Sequence, residues 1–271
     1  MTQEVIFRTS DTYGEISVDQ DAVLRTLRFG TRHRQSSMSL VDPGALVLRY
    51  TQAMAMALLF HPQPKRILLI GLGGASMVKF LLRHLPECQI DAVELRQAVV
   101  LAAQRYFNLE TRDPRLHIHV QDGQSFVEFT AQRRARYYDL IIVDAFDAEG
   151  PSVMINQPEF LRGCKHLLNL PGVMIVSDWV KSNDGYPERR RVRGKVFDDH
   201  ALTLALGHDH ANVVNFFFRR PIAYLSMRQV LVRATQAQRR FGFNCIAYLN
   251  DIAKQNFLGG KSRPLPVART V

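Results

Sequence analysis

Two carboxylates, Asp144 and Asp147, leave the apolar run Ile141-Ile142-Val143 and precede Gly150-Pro151. A run of that kind reads as a buried strand, and its C-terminal end is where open α/β sheets bind ligands. A nicotinamide dehydrogenase has no use for an acid pair there, whereas a site that handles a cationic amine does. One carboxylate accepts the amine's proton and the other fixes its position. The blander reading is an acidic loop capping a neighbouring helix.

A second group of residues suits a nucleoside. Gly71-Leu72-Gly73-Gly74-Ala75-Ser76 follows the strand-like run Ile67–Ile70. Gly71 and Gly73 permit a tight turn and close approach of a ligand to the backbone. Ser76 holds the place of the third glycine in the dinucleotide pattern, so the loop alone fits a dinucleotide, an adenosyl sulfonium or no ligand. Glu94 ends the next strand, at the separation where a carboxylate accepts both ribose hydroxyls. Asp122-Gly123 follows the third strand; an acid there can accept from an adenine amino group or simply open a turn.

These residues need a scaffold, and the hydropathy pattern supplies one. Expected strands at Ile67–Ile70, Gln89–Glu94, Leu116–Gln121, Tyr138–Val143 and Val173–Ser177 alternate with expected helices at Ser76–Leu85, Gln97–Phe107, Gln124–Gln132 and Gln157–Leu168. That alternation predicts an α/β fold with an open, mostly parallel, doubly wound sheet. A further helix is expected around Asp198–Leu206, a late strand at Asn212–Phe218, and helix from there to about Lys254. Upstream, Glu15–Val18 and Leu24–Phe29 read as a hairpin, with Phe29-Gly30 closing a small antiparallel β-unit. A helix from Leu46 to Phe60 is stopped by His61-Pro62-Gln63-Pro64. The expected division is residues 1–42 for the β-domain, 43–255 for the catalytic domain and 256–271 for a tail.

The chain has 271 residues, 46% of them hydrophobic, and a formal net charge of +10. This composition excludes collagen-like repeats and a mostly disordered chain. No apolar run approaches the roughly 20 residues that a bilayer span needs, and the start Met1-Thr2-Gln3-Glu4 lacks the pattern of a signal peptide. Cys88, Cys164 and Cys245 stand far apart, as reduced thiols of a cytoplasmic protein would. The histidines, including His208 and His210, form no ligand-spaced cluster with an acid, so no metal is expected.

Taken together, residues from about Tyr13 to Phe218 resemble the spermidine synthase-like (polyamine aminopropyltransferase) family, a relative of the class I methyltransferases. The resemblance rests on Gly71–Ser76, on Val93-Glu94-Leu95, on Asp122-Gly123, and on Asp144-Ala145-Phe146-Asp147-Ala148-Glu149-Gly150-Pro151 against the family's D-x-x-D-x-x-G-P segment. It implies a Rossmann-like, class I methyltransferase-type core behind a small N-terminal antiparallel β-domain, and at least a homodimer. It implies that Gly71, Gly73, Glu94, Asp122 and Gly123 bind the adenosyl co-substrate. Asp144 becomes the catalytic acid that accepts a proton, and Asp147 holds the amine. Gln35 and Tyr50 stand in for a Gln and a Tyr of the family at altered spacing. The family's glycine loop carries an Asp that holds the donor's amine; here that place is Gly74.

The reading that follows is transfer of an aminopropyl group from decarboxylated S-adenosylmethionine to a small-molecule amine, with no metal. Gly74 keeps open an alternative, a methyltransferase using intact S-adenosylmethionine. A non-catalytic nucleoside binder is the third class. The run Glu188–Lys195, rich in arginine, is read as a solvated basic loop or helix face; neither nucleic acid nor membrane is an expected partner. Trp179 follows Ser177-Asp178, where it can line the pocket, and Asp178 is expected to add to an acidic mouth.

Overall fold

A computed structural model describes residues 3–146, 150, 152–180, 185–207, 212–222 and 226–258. Asp147 and Glu149, together with His208, His210 and the tail beyond residue 258, lie outside the described residues. A four-stranded antiparallel sheet comes first: β1 (Glu4–Asp11), β2 (Gly14–Gln20), β3 (Leu24–Arg28) and β4 (Ser36–Ser39), in that order. The β2–β3 hairpin turns at Asp21, whose carboxylate accepts from the backbone N–H groups of Val23 and Leu24. Gly30 (φ +62°) instead opens the connection to β4.

Helices α1 (Arg49–Ala55) and α2 (Ala57–Phe60) lead into the main sheet. Its parallel part is β5 (Arg66–Ile70), β6 (Gln89–Glu94), β7 (Leu116–Val120), β8 (Tyr138–Val143) and β9 (Leu168–Trp179). Between these strands run α3 (Ser76–His84), α4 (Gln97–Tyr106), α5 (Gly123–Ala131) and α6 (Pro158–Leu167). After them come α7 (Tyr186–Val196), β10 (Ala201–Leu206), β11 (Asn212–Phe218), α8 (Met227–Phe241) and α9 (Cys245–Ala253). The seven-stranded order is β10-β11-β9-β8-β5-β6-β7. The doubly wound, mostly parallel sheet with its N-terminal antiparallel companion is the expected fold class.

Alternation along the strands builds the layers. In β5, Ile67 and Leu69 face one core while Leu68 and Ile70 face the other. In β8, Leu140 and Ile142 join the first core, Ile141 and Val143 the second. Strands buried on both faces read as continuous apolar runs, which is why these two were legible. A third cluster locks the N-terminal sheet to α4 through Ile16, Val18 and Leu27 against Val99, Ala102 and Phe107.

The expected helix near Asp198–Leu206 is a strand. β10 pairs antiparallel with β11 from Ala201↔Phe217 to Leu206↔Asn212. Leu202 and Leu204 are buried and their neighbours half-buried, a period of two that good helix formers disguised.

Sheet order reverses between β5 and β8: the chain runs outward through β6 and β7, then returns to place β8 on the other side of β5. A crevice opens at such a switch point, beyond the carboxyl ends of the strands. Gly71 and Asp144 are the first residues past those two ends, and the Asp144 N–H donates to the Ile70 carbonyl at 2.8 Å.

Candidate active site

The crevice holds a cavity of about 280 Å³. Its lining includes the glycine turn at Gly71 and Gly73, then Glu94, Asp122, Gly123 and Asp144. Gln35 and Tyr50 close it from the N-terminal side. The sequence-expected residues that fall within the described chain are thus brought together around one cavity.

Gly71 is required by both conformation and space. Its φ is +94°, and a Cβ there would stand 2.2 Å from the Asp144 carbonyl oxygen. Gly73 also has a left-handed φ, +52°. Gly74 is tight for a different reason: a Cβ would meet the Ser36 Oγ at 2.8 Å and the Phe107 ring at 2.9 Å. Ser76, where the dinucleotide pattern has glycine, begins α3; its hydroxyl donates to the Ser37 carbonyl and lies 3.2 Å from the Ser36 Oγ. The loop therefore docks on β4.

Glu94 is buried, and both of its carboxylate oxygens are engaged. Oε2 accepts from the Leu72 N–H and Oε1 from the Arg96 N–H, each at 3.0 Å. Burial pushes its carboxyl up, and the backbone N–H groups of Leu72, Arg96 and Gly73 oppose that rise. The carboxylate is fixed in orientation, and each oxygen keeps lone-pair capacity for a hydroxyl donor. Asp122 caps α5, accepting from the Ser125 N–H at 2.8 Å and its hydroxyl at 2.9 Å through the same Oδ1.

Asp144 sits half-buried in a low-dielectric pocket. Its Oδ2 meets the Tyr50 hydroxyl at 3.3 Å, and that hydroxyl also reaches the Gln35 carbonyl at 3.1 Å. Its Oδ1 is buried and completes no hydrogen bond among the described residues. Burial raises the Asp144 carboxyl to about 7, against the opposing pull of Tyr50 and of the nearby Ser177 hydroxyl. Burial and the Asp144 charge push the Tyr50 phenol well above its ordinary value, so its O–H remains a donor. An acid poised near neutrality with one unoccupied oxygen suits proton abstraction from a bound amine.

A second chamber of about 350 Å³ shares Gln35, Tyr50 and Phe146 with the first cavity. Trp179 and Ser177 form its sheet side, and His33 and Arg34 come from the β3–β4 connection. The His33 ring stands edge-on to Trp179, with centroids 4.2 Å apart.

Asp178 does not feed an acidic mouth. It is fully buried and paired with fully buried Arg193 of α7, at 2.5 and 3.1 Å. Asn215 donates to the same carboxylate, and Asn156 accepts from Arg193. One arginine of the basic run is thus an internal anchor of α7, while Arg191 pairs with Glu188 on the exposed face.

Sequence reasoning missed Arg96. It lines the cavity, binds the Asp11 carboxylate through two nitrogens at 2.8 and 3.0 Å, and donates to the Gly14 carbonyl. Its guanidinium also lies 4.8 Å over the Phe29 ring. Through it the N-terminal sheet is tied to the segment that holds Glu94. The only sequence signal was an arginine two residues past a strand-end acid, which by itself reads as surface charge.

No helix among the described residues is long and apolar enough to cross a membrane. Comparison with known proteins agrees with the geometry. Residues 48–182 match the family model for a spermine/spermidine synthase domain. The polyamine aminopropyltransferase of Chromobacterium violaceum is 30% identical over 242 residues, covering 89% of this chain and 90% of that one. A spermidine synthase crystallised with the transition-state analogue AdoDATO superposes with a TM-score of 0.69 at 18% identity, over 92% of this chain and 85% of that chain. Human methyltransferase-like protein 13, in complex with SAH, shares the fold at a TM-score of 0.61 and 24% identity, over 72% and 90% of the two chains.

Proposed function

The chain belongs to the polyamine aminopropyltransferase family, a family of transferases, and from that premise we propose that it moves an aminopropyl group from decarboxylated S-adenosylmethionine to an amine. The observation that carries the reading is Asp144: a carboxyl raised to about 7 beside the glycine turn, with a free, buried Oδ1. In this reading the adenosyl moiety lies over Gly71 and Gly73, the ribose hydroxyls donate to Glu94, and Asp122-Gly123 borders the adenine.

The step is a single in-line displacement. A neutral amine nitrogen attacks the propyl carbon bonded to the sulfonium. An N–C bond forms and the C–S bond breaks with its electron pair left on sulfur, so methylthioadenosine departs as a neutral thioether. The new ammonium gives a proton to the Asp144 carboxylate, which passes it to solvent. Tyr50 holds Asp144 in place. Asp147, outside the described residues, is proposed to hold the amine. The dry walls strengthen each charge contact. Assembly as a cytoplasmic homodimer belongs to the same proposal; its support is family membership and three buried free thiols.

Calorimetric titration with decarboxylated S-adenosylmethionine, the intact form and methylthioadenosine tests the reading. Tighter binding of the decarboxylated donor, with methylthioadenosine release on adding an amine, is the expected result. Preference for the intact donor would assign methyl transfer instead, and binding of none would reject both.

A further inference from the structure

The opposite edge of the main sheet carries an open recess of about 540 Å³. Arg162, Lys165 and His166 of α6, Lys195 and Val196 of α7, and Arg219 line it. Arg219 follows β11 at the end where Phe218 pairs with Val173, whereas Asp144 lies past the other end of β8 and β9, where Val143 pairs with Val176.

The cations are held in place by the fold itself. Arg219 Nη1 donates to the His166 carbonyl at 3.0 Å and to the Leu168 carbonyl, which fixes the guanidinium against the end of α6. Arg136 comes to the same point: its backbone N–H donates to the His166 carbonyl at 3.0 Å, with its own φ at +50°. Burial and the Arg136 charge together hold the Arg219 guanidinium below its ordinary range. Neither guanidinium forms an ion pair among the described residues. Lys165 donates to the Val196 carbonyl and to Asp198, each at 2.7 Å, and keeps a third N–H. Lys195 is exposed and completes no hydrogen bond among the described residues; Glu188, the acid of its own helix that feels its charge, is held through both oxygens by Arg191. Two further acids stand close: Glu159 pairs with Arg162, and Asp199 lies where a Cβ on Gly194 would meet its Oδ1 at 2.8 Å. Five permanent cations, Arg136 included, are thus set against Glu159, Asp198 and Asp199, and one carboxylate ligand would leave that surplus uncompensated.

We propose that this recess binds a compact polyphosphate anion: pyrophosphate, tripolyphosphate or the phosphate chain of a nucleotide. The anchored Arg219 offers paired N–H donors to phosphate oxygens, and Lys165 and Lys195 add point charges. Val196 is the one aliphatic side chain in the described wall, so a nucleobase finds little to pack on and recognition belongs to the phosphates. The exposed carboxylates of Glu159 and Asp198 repel the continuation of a long phosphate backbone, which favours a short anion over RNA. The site is separate from the transferase cavity, and the inference does not depend on aminopropyl transfer.

Titration calorimetry of the full chain with tripolyphosphate, pyrophosphate, inorganic phosphate, ATP and AMP tests it, with methylthioadenosine present throughout so that binding at Gly71 does not contribute. The expected result is saturable one-to-one binding of tripolyphosphate, with a matching rise in melting temperature. Lys195→Ala and Arg136→Gly remove exposed side chains, and the glycine suits the left-handed backbone, so both variants should keep the parent's urea midpoint. Together they should weaken tripolyphosphate by about tenfold or more, as loss of a hydrogen bond to a charged group implies. Arg105→Ala removes the same charge from the exposed face of α4 and should leave the affinity unchanged. ATP binding as tightly as tripolyphosphate would identify a nucleotide as the source, and tripolyphosphate binding alone an inorganic one. Absence of binding, an equal loss in Arg105→Ala, AMP binding as tightly as ATP, or a single-stranded oligouridylate binding more tightly than tripolyphosphate at equal salt would each overturn the proposal.

Discussion

The Tyr50 hydroxyl and the Asp144 carboxylate meet at 3.3 Å although 94 residues separate them in the chain. Tyr50 comes from α1 and Asp144 from the end of β8, so this contact closes the cavity across the two segments. The hydroxyl is shared with the Gln35 carbonyl at 3.1 Å, and one O–H cannot satisfy both acceptors fully. When Asp144 ionises, the proton of Tyr50 is drawn to it; when Asp144 is neutral, Gln35 competes for it. The pair therefore tunes the proton acceptor without removing its free oxygen.

Tyr50→Phe should separate these roles. The hydrogen bond from Tyr50 favours the charged carboxylate, so its loss moves the Asp144 carboxyl above about 7. Turnover should rise with pH through a midpoint shifted upward relative to the unmodified enzyme, with kcat at neutral pH lower by about tenfold, as loss of roughly 1.4 kcal/mol implies. A pH–rate profile under saturating donor and acceptor checks it; an unmoved midpoint would detach Tyr50 from Asp144.

Asp144→Asn should remove turnover by about 10²- to 10⁴-fold, the range for loss of a general base, while donor binding stays within a few-fold. Stability should move the other way. Burial holds the folded carboxyl near 7, whereas the unfolded one titrates near its ordinary value of 3.8. Below that lower value both states are protonated and the site costs the fold nothing. Between the two values the native state binds the extra proton, and folding weakens as pH rises; above about 7 the penalty is complete, at most about 4 kcal/mol. The Asn variant should therefore be more stable than the parent, by a margin that grows from acid to neutral pH and then levels off. Urea denaturation at several pH values measures this.

How far the sequence reached follows from which features are local. β5 and β8, with the residues just past them, were legible because strands buried on both faces announce themselves as apolar runs, and glycines with an acid at fixed spacing follow from backbone geometry. β10 was not, because five of its six residues are Leu or Ala, good helix formers, and antiparallel pairing with β11 decides the matter from outside the segment. The Asp178–Arg193 pair was invisible for a related reason: whether a charge faces solvent or a partner depends on how α7 lies against β9. The cavity wall from the N-terminal sheet, Arg96 against Asp11, joins residues 85 positions apart, and no local pattern encodes that.

Glu94→Gln should weaken nucleoside binding selectively. The carboxylate oxygens accept from two backbone N–H groups, so one face of the amide must present its NH₂ to an N–H donor. The same exchange also replaces a charged acceptor for the ribose hydroxyls, and a hydrogen bond to a charged group is worth about 1.5–3 kcal/mol, which corresponds to roughly ten- to a hundredfold in affinity for methylthioadenosine. Titration calorimetry reads the loss directly. An amine acceptor's KM should stay close to that of the parent, since the contact is made to the donor alone.

Asp178→Asn tests the internal anchor. It keeps the shape of the site but strands the buried Arg193 guanidinium without its counter-charge. Removing one partner of such a pair costs about 3–5 kcal/mol, so the denaturation midpoint should fall sharply. Arg193→Met combined with Asp178→Leu removes both charges and should recover much of that loss. If the single variant proved as stable as the parent, Arg193 would have found another counter-ion and α7 would not depend on this pair.

Gly74→Asp addresses donor choice. Gly74 occupies the place where the resemblance implies an acid that holds the donor's amine, yet a Cβ there meets the Ser36 Oγ at 2.8 Å and the Phe107 ring at 2.9 Å. Phe107 is wholly buried, so the ring cannot swing aside into solvent. Overpacking of this kind costs about 1–3 kcal/mol, and Gly74→Ala, which adds the Cβ alone, should show the steric part of that loss by itself. The added charge acts separately: a carboxylate at position 74 attracts the donor's ammonium and repels the carboxylate of intact S-adenosylmethionine. Relative to Gly74→Ala, the Asp variant should shift the ratio of affinities toward the decarboxylated donor by about tenfold or more, the effect of ~1.4 kcal/mol. Titrating both donors into the two variants isolates the charge from the crowding. Equal ratios in the Ala and Asp variants would mean that the donor's amine does not lie beside this turn.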